Sequence, residues 1–169
     1  GGSSRDTIRA LVGESSVEPE LRRLRRYELA TAGSVRATRG ASAFLRTLPP
    51  SCYGIVTSST RDVAVARAVA ADVPIPPLLC TADDYVNGKP SAEPYVVGLR
   101  QFARTAAECL TFEDSLPGIQ SARAAGVEVV AVETYEQPLD RSSRWISDFG
   151  ELVATVRGDF IEVEKPGLS

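Results

Sequence analysis

Three observations predict an α/β fold with a mostly parallel sheet sandwiched by helices. From residue 40 onward, short apolar runs alternate with helical patterns. The apolar runs are nearly continuous, as expected for strands buried on both faces. No internal repeat, low-complexity tract or heptad run competes with that pattern.

Taken in order, Arg5 to about Val12 reads as a helix, with Thr7, Ile8, Leu11 and Val12 available for one face. A second helix begins near Val17 and runs to Ala32, with Pro19 tolerated in its first turn. Its stripe is Leu21, Leu24, Tyr27-Glu28 and Leu29, with arginines opposite. The basic side is read as a solvated face, with contact to an anionic substrate as the alternative. Gly33 reads as a helix stop. After Gly40, "ASAFLRTL" is a helix ending at Pro49-Pro50, and "CYGIVTS" is a buried strand. "RDVAVARAVAADV" is a helix, "PPLLCTADD" holds a short strand, and "AEPYVVGLRQFART" is a helix. "ECLTFED" is a strand, "LPGIQSARAAG" a helix and "VEVVAVET" a strand. "DFGELVATV" is predicted as a last helix before a terminal strand, "DFIEVE".

Composition narrows the function. The 169 residues hold 43% apolar and 24% charged side chains, ordinary values for a chain that buries a core. A net charge of −3 and the lack of a basic block argue against nucleic acid. No apolar run approaches the ~20 residues that span a bilayer, and no signal peptide is visible, so a cytoplasmic protein is expected. Cys52, Cys80 and Cys109 sit singly in apolar runs and read as small core residues. Histidine is absent, which removes Ser-His and Cys-His pairs and His-metal sites. Acid–base chemistry must then use carboxylates, lysine, tyrosine or metal-bound water. Methionine is absent too, and the chain opens Gly-Gly-Ser-Ser, so upstream residues are expected to be missing.

In parallel sheets the ligand crevice lies beyond the carboxyl ends of the strands. The positions to inspect are therefore Thr57-Ser58-Ser59, Asp83-Asp84, Glu113-Asp114 and Glu133-Thr134. Thr57 and its neighbours put hydroxyls before a helix N-terminus, a phosphate cradle or simple capping by Ser59 or Thr60. Lys89 is one of two lysines and lies in the turn-rich "NGKPSAEPY". A flexible point charge there suits a phosphoryl group, and an exposed loop lysine is the alternative. Glu113 and Asp114 are adjacent carboxylates at a strand end. Capping needs one of them, whereas a hard cation such as Mg²⁺ offsets the repulsion of both.

The order of these signals carries more than each alone. With hydroxyls in "GIVTSST", Gly-Lys-Pro in "VNGKPSAEPY" and Glu-Asp-Ser-x-x-Gly in "LTFEDSLPGIQSARAAGVEVVAV", the chain resembles the haloacid dehalogenase-like (HAD) hydrolase superfamily. It is most similar to the sugar-phosphatase, phosphoglycolate-phosphatase and beta-phosphoglucomutase-like branch with a helical cap. The resemblance implies a Rossmann-type core at 35–169 and a partial α-helical cap at 1–34. It implies Mg²⁺-dependent hydrolysis of a small phosphomonoester, a sugar or polyol phosphate. In that scheme Thr57 and the Ser58 amide bind the phosphoryl group, and Lys89 pairs with its oxygens and with the nucleophile. Asp114 helps to hold Mg²⁺ with Glu113 supporting, while Arg61 meets the substrate or is merely solvated.

One departure stands out. The family's first motif, Asp-x-Asp after the first strand, supplies the nucleophile and the general acid–base. The aspartates here are 6, 62, 72, 83, 84, 114, 140, 148 and 159, and no two form that spacing. The expectation is a core lacking its first strand, prone to self-association or completed by another fragment. A non-catalytic binding or scaffold protein, and beta-phosphoglucomutase-type transfer, are the alternatives. A phospho-receiver domain is disfavoured, because its acidic pair precedes the hydroxyl and lysine in sequence.

Overall fold

The structure, a computed structural model, describes residues 4–133, 144–158 and 160–165. Two helices lead, α1 (Ser4–Val12) and α2 (Val17–Thr31), joined through Gly13 at φ 77°. Glu18 and Glu20 in the first turn of α2 favour its start, since the helix N-terminus carries partial positive charge. Gly33 does not stop the chain sharply. A 3₁₀ turn, Ala32–Ser34, extends it. Of the predicted stripe, Leu21 and Leu24 are half-buried while Tyr27 and Leu29 are exposed.

The core follows as α3 (Ala41–Arg46), β1 (Gly54–Val56), α4 (Arg61–Ala70), β2 (Leu78–Cys80) and α5 (Glu93–Phe102). It continues with β3 (Leu110–Glu113), α6 (Leu116–Ala124) and β4 (Glu128–Val132). β1 and β2 form one parallel ladder, with Ile55 opposite Leu79. β3 and β4 form a second, with Phe112 opposite Val130, extended by β5 (Trp145–Ile146). Among the described residues, no ladder joins β1 to β3, so each has one edge without a partner.

Alternation along β4 explains how both faces are covered. Val129 and Ala131 pack with Tyr95 of α5 and Ile119 and Ala122 of α6. Val130 and Val132 face the other way, onto Ile146, with Phe112 and Phe149 packed against them. Phe44 of α3 closes that side, its ring 6.1 Å from Phe112 and 5.7 Å from Phe149. Aromatic pairs at such spacings add to plain burial.

Three expectations need correction. "DFGELVATV" is not a helix: Phe149–Glu151 is a 3₁₀ turn, and Val153–Arg157 is strand β6. β6 pairs antiparallel with β7 (Phe160–Glu164), with Gly158 at φ 60° between them. β-branched residues favour a pleated partner once one lies within hairpin reach. The two-residue β5 was not foreseen. Of the cysteines, Cys80 is buried as expected, Cys109 is half-buried and Cys52 is exposed.

Candidate functional site

β1 delivers the first group of side chains. The Thr57 amide donates to the Cys80 carbonyl, continuing the β1–β2 ladder by one residue. Thr57 Oγ1 accepts from the Ser59 amide at 3.2 Å, which leaves its own proton free to donate. Among the described residues Ser58 Oγ is buried without a hydrogen bond of ordinary geometry, although it lies near enough to the Tyr85 hydroxyl to act on it. The neighbouring Tyr85 hydroxyl donates to the Thr57 carbonyl at 2.9 Å, and burial pushes its pKa up. A buried hydroxyl left unpaired costs free energy, so Ser58 is a polar group poised for a ligand.

Capping of α4 differs from both sequence alternatives. Neither Ser59 nor Thr60 caps it; the Arg61 amide donates to Asp83 Oδ2 from the β2 side at 2.8 Å. Thr60 Oγ1 donates to Asp62 Oδ1 at 2.7 Å, and Ser59 Oγ accepts from Arg67. Arg61 itself is spent on the scaffold. Its Nη2 donates to the Leu79 carbonyl at 2.9 Å and to Asp84 Oδ2 at 3.0 Å. Asp84 also accepts from the Thr81 amide and hydroxyl at 2.7 and 2.8 Å. The Thr81 amide first, then its hydroxyl and Arg61, hold the Asp84 carboxyl below the usual range. Asp83 and Asp84 thus tie the end of β2 to the start of α4.

Lys89 reaches the gap between the two ladders. Glu93 Oε1 accepts from the Val86 amide, and Oε2 from the amide and side chain of Asn87, which sets the preceding turn. The Lys89–Pro90 peptide is cis. Lys89 is 7% exposed. Its ammonium donates to the Val56 carbonyl at 3.3 Å, ion-pairs with Glu113 and lies 5.3 Å from the Tyr95 ring centre. An ammonium has three protons, so one remains for a further acceptor.

β3 supplies the acidic doublet, and its two members face opposite ways. Glu113 is buried, accepting from Lys89 and from the Tyr95 hydroxyl at 2.6 Å. Burial, then the nearby Glu113 carboxylate, pushes the Tyr95 phenol far up. Asp114 is exposed and makes no hydrogen bond or ion pair among the described residues. Lys89 and Tyr95 thus relieve the like-charge crowding that the sequence presents at this strand end. Ser115 Oγ caps α6 by accepting from the Gly118 amide at 3.2 Å. A Cβ on Gly118 would stand 2.0 Å from Glu113 Oε2, so only glycine fits above the buried carboxylate.

The arrangement gathers Thr57, Ser58 and Lys89 at the end of β1, and Glu113 with Lys89 at the end of β3. Arg61 is turned to the scaffold, and Asp114 has no partner among the described residues. Among the described residues no three acidic or cysteine side chains converge as a metal cage. Tyr95 went unnoticed in the sequence, and Gly118 was seen only as the glycine of Glu-Asp-Ser-x-x-Gly, although both lie inside the stretches that carry the resemblance. Glu133 follows β4, its amide donating to the Ile146 carbonyl, and Thr134 lies outside the described residues.

Parallel strands covered by helices on both faces, with polar groups gathered at their carboxyl ends, define the class as a Rossmann-type α/β fold. The particular family follows from comparison: a family model described as haloacid dehalogenase-like hydrolase matches residues 1–132, and the chain belongs to that family. Over 121 residues it is 34% identical to hexitol phosphatase A of Escherichia coli, covering 70% of this chain and 56% of that protein. It is 31% identical to glycerol-1-phosphate phosphohydrolase 1 of Saccharomyces cerevisiae, covering 53% of this chain and 39% of that protein. The chain therefore spans about half the length, or less, of these curated relatives. Among solved structures, CbbY from Rhodobacter sphaeroides in complex with phosphate aligns at TM-score 0.76 with 16% identity, covering 89% and 75% of the two chains. A hydrolase from Pseudomonas syringae aligns at 0.74 with 20% identity, covering 86% and 71%. Both structures share the fold. No helix among the described residues is long and apolar enough to cross a membrane.

Proposed function

We propose that this chain carries the phosphoryl-binding part of a Mg²⁺-dependent phosphatase acting on a small sugar or polyol phosphate. The observation that carries the reading is the polarity at the end of β1. There the Thr57 hydroxyl and a buried Ser58 hydroxyl without a well-formed hydrogen bond lie one and two residues beyond the Val56 carbonyl that fixes Lys89. Thr57 and Ser58 hold phosphoryl oxygens, and the third Lys89 proton neutralises the charge that builds on them. Glu113 and Tyr95 position Lys89 and do not touch the substrate. Relatives named as hexitol and glycerol-1-phosphate phosphatases favour a polyol phosphate over a larger ester.

Mg²⁺ suits the donor set in part. It takes one or two carboxylates, with waters and phosphate oxygens completing its shell, and Asp114 offers one free carboxylate. Once bound, the ion would neutralise charge on the phosphoryl group. The reading also needs a carboxylate nucleophile. We assign it to a further strand lying parallel between the unpartnered edges of β1 and β3, from the same protein or a complementing fragment. On this view α1 and α2 are part of a cap.

The test is hydrolysis of a generic aryl phosphate, with and without Mg²⁺. It compares the chain, joined to a segment that supplies the nucleophile strand, with its Asp114→Ala variant. Turnover that needs Mg²⁺ and is lost in the variant supports the reading. Phosphate binding without turnover favours a scaffold on the same fold.

A further inference from the structure

The terminal hairpin stands apart from both the site and the core ladders. Among the described residues β6 and β7 pair only with each other. Two strands alone are marginal in water, and further strands with a shared apolar face ordinarily make such a sheet stable. Side chains alternate between its faces: Ala154, Val156, Ile161 and Val163 share one, and Thr155, Arg157, Glu162 and Glu164 share the other. Val153, Val156 and Phe160 are exposed, so apolar surface is left for a partner to cover.

The two edges of the hairpin are not equivalent. Arg157 and Phe160 pair across a two-residue connection, so their backbones bond to each other. By alternation, the backbone groups of Val153 and Thr155 also turn to β7, while those of Ala154 and Val156 turn outward. Among the described residues no backbone group takes up the outward pair. Charge then separates the edges. β7 laid antiparallel on a second β7 sets Glu162 against Glu162, and like charges directly opposite are destabilising. β6 laid on a second β6 and centred on Thr155 overlaps all five residues without that conflict. Thr155 meets Thr155, Ala154 meets Val156 and Val153 meets Arg157. Arg157, the one charged residue of β6, is held by Glu162 of its own hairpin at 3.0 Å.

We propose that β6 is a docking edge for a second copy of this chain, the two hairpins joining as one four-stranded antiparallel sheet. The operation is a two-fold through Thr155, so association closes at the dimer. It sets the apolar faces of the two hairpins side by side, and it satisfies the outward amides and carbonyls of Ala154 and Val156 in both copies. Five residues a side make a small interface of the weak, transient class, so the dimer forms reversibly as concentration rises.

Sedimentation velocity over a concentration series tests the proposal, with the mass expected to approach that of a dimer and to stop there. Thr155→Lys faces Glu162 within its own hairpin but sets lysine against lysine at the two-fold axis. It should weaken dimerisation by about tenfold or more. Mixing it with Thr155→Glu should restore the dimer, which a merely unfolded variant would not do. Cys52 is exposed, so trapping is done in a Cys52→Ser background. There Thr155→Cys should give a disulfide-linked dimer on mild oxidation, because facing side chains on the axis lie within bridging reach, and Glu162→Cys should not. A chain that stays monomeric at every concentration overturns the proposal. So does association that Thr155→Lys leaves intact and Thr155→Cys fails to trap, a result that assigns it to the open edges of β1 and β3.

Discussion

The loop after β1 and the cluster at the end of β3 are built on opposite principles. At Glu113, buried charge is met on every side: Lys89, the Tyr95 hydroxyl and the tight cover of Gly118 leave no room for a ligand. After β1, polarity is left open, with a buried Ser58 hydroxyl that makes no hydrogen bond of ordinary geometry among the described residues and a Thr57 proton to spare. Burying a paired charge is tolerable, whereas burying an unpaired polar group is costly unless something arrives to pair it. The closed cluster holds two strand ends in place, and the open loop is where a ligand belongs. Lys89 belongs to both, since two of its protons serve the scaffold and one remains.

Breaking the closed cluster should have the largest effect. Lys89→Met strands the Glu113 carboxylate in the interior and should cost about 3–5 kcal/mol, measured by urea unfolding. Gly118→Ala should cost about 1–3 kcal/mol by forcing Glu113 aside. Retention of parental stability by both would show that the cluster is not the support described here.

An intermediate effect comes from Asp84, whose folded-state carboxyl lies below its ordinary value. Its contribution is therefore present above the unfolded value, about pH 4, and is lost as pH falls through the lower folded value. Asp84→Asn should lower stability at pH 7 by about 1 kcal/mol and flatten the decline in stability below pH 4. An unchanged acid limb would contradict that assignment. The smallest effect on the fold is expected at the open loop. Ser58→Ala removes a buried hydroxyl with no well-formed hydrogen bond, so stability should rise slightly, by about 0.5 kcal/mol. Phosphate affinity should nonetheless fall severalfold.

Much of the parallel-sheet core was legible because its signals are local. Gly-Ile-Val and Leu-Leu-Cys are apolar strands, and the helices between them carry their own starts and stops. The terminal hairpin was not legible. Phe149, Leu152, Val153 and Val156 repeat at helical spacing, yet pairing with residues 160–164 decides the conformation of 153–157. β5 was missed because two residues give no periodicity, and its ladder depends on β4.

At the site, the sequence singled out Thr57, Lys89, Glu113 and Asp114 but could not say which way each would face. Adjacent residues at a strand end alternate in direction, so Glu113 entering the core and Asp114 leaving it becomes visible only in three dimensions. Arg61 reads by resemblance as a substrate contact and, as a helix-start residue, as merely solvated. Asp84 and the Leu79 carbonyl, far from it in sequence, claim its guanidinium. Gly118 had a local signal after all, being the glycine of Glu-Asp-Ser-x-x-Gly, and its role as cover for Glu113 explains the spacing.

Backbone amide shifts on titration with inorganic phosphate and Mg²⁺ test the central contrast most directly. The open-loop account predicts perturbations at residues 57–60, 89 and 114, with little change at Tyr95 and Ala122 in the closed core. Perturbation centred on the core cluster, or none at the loop after β1, would contradict it.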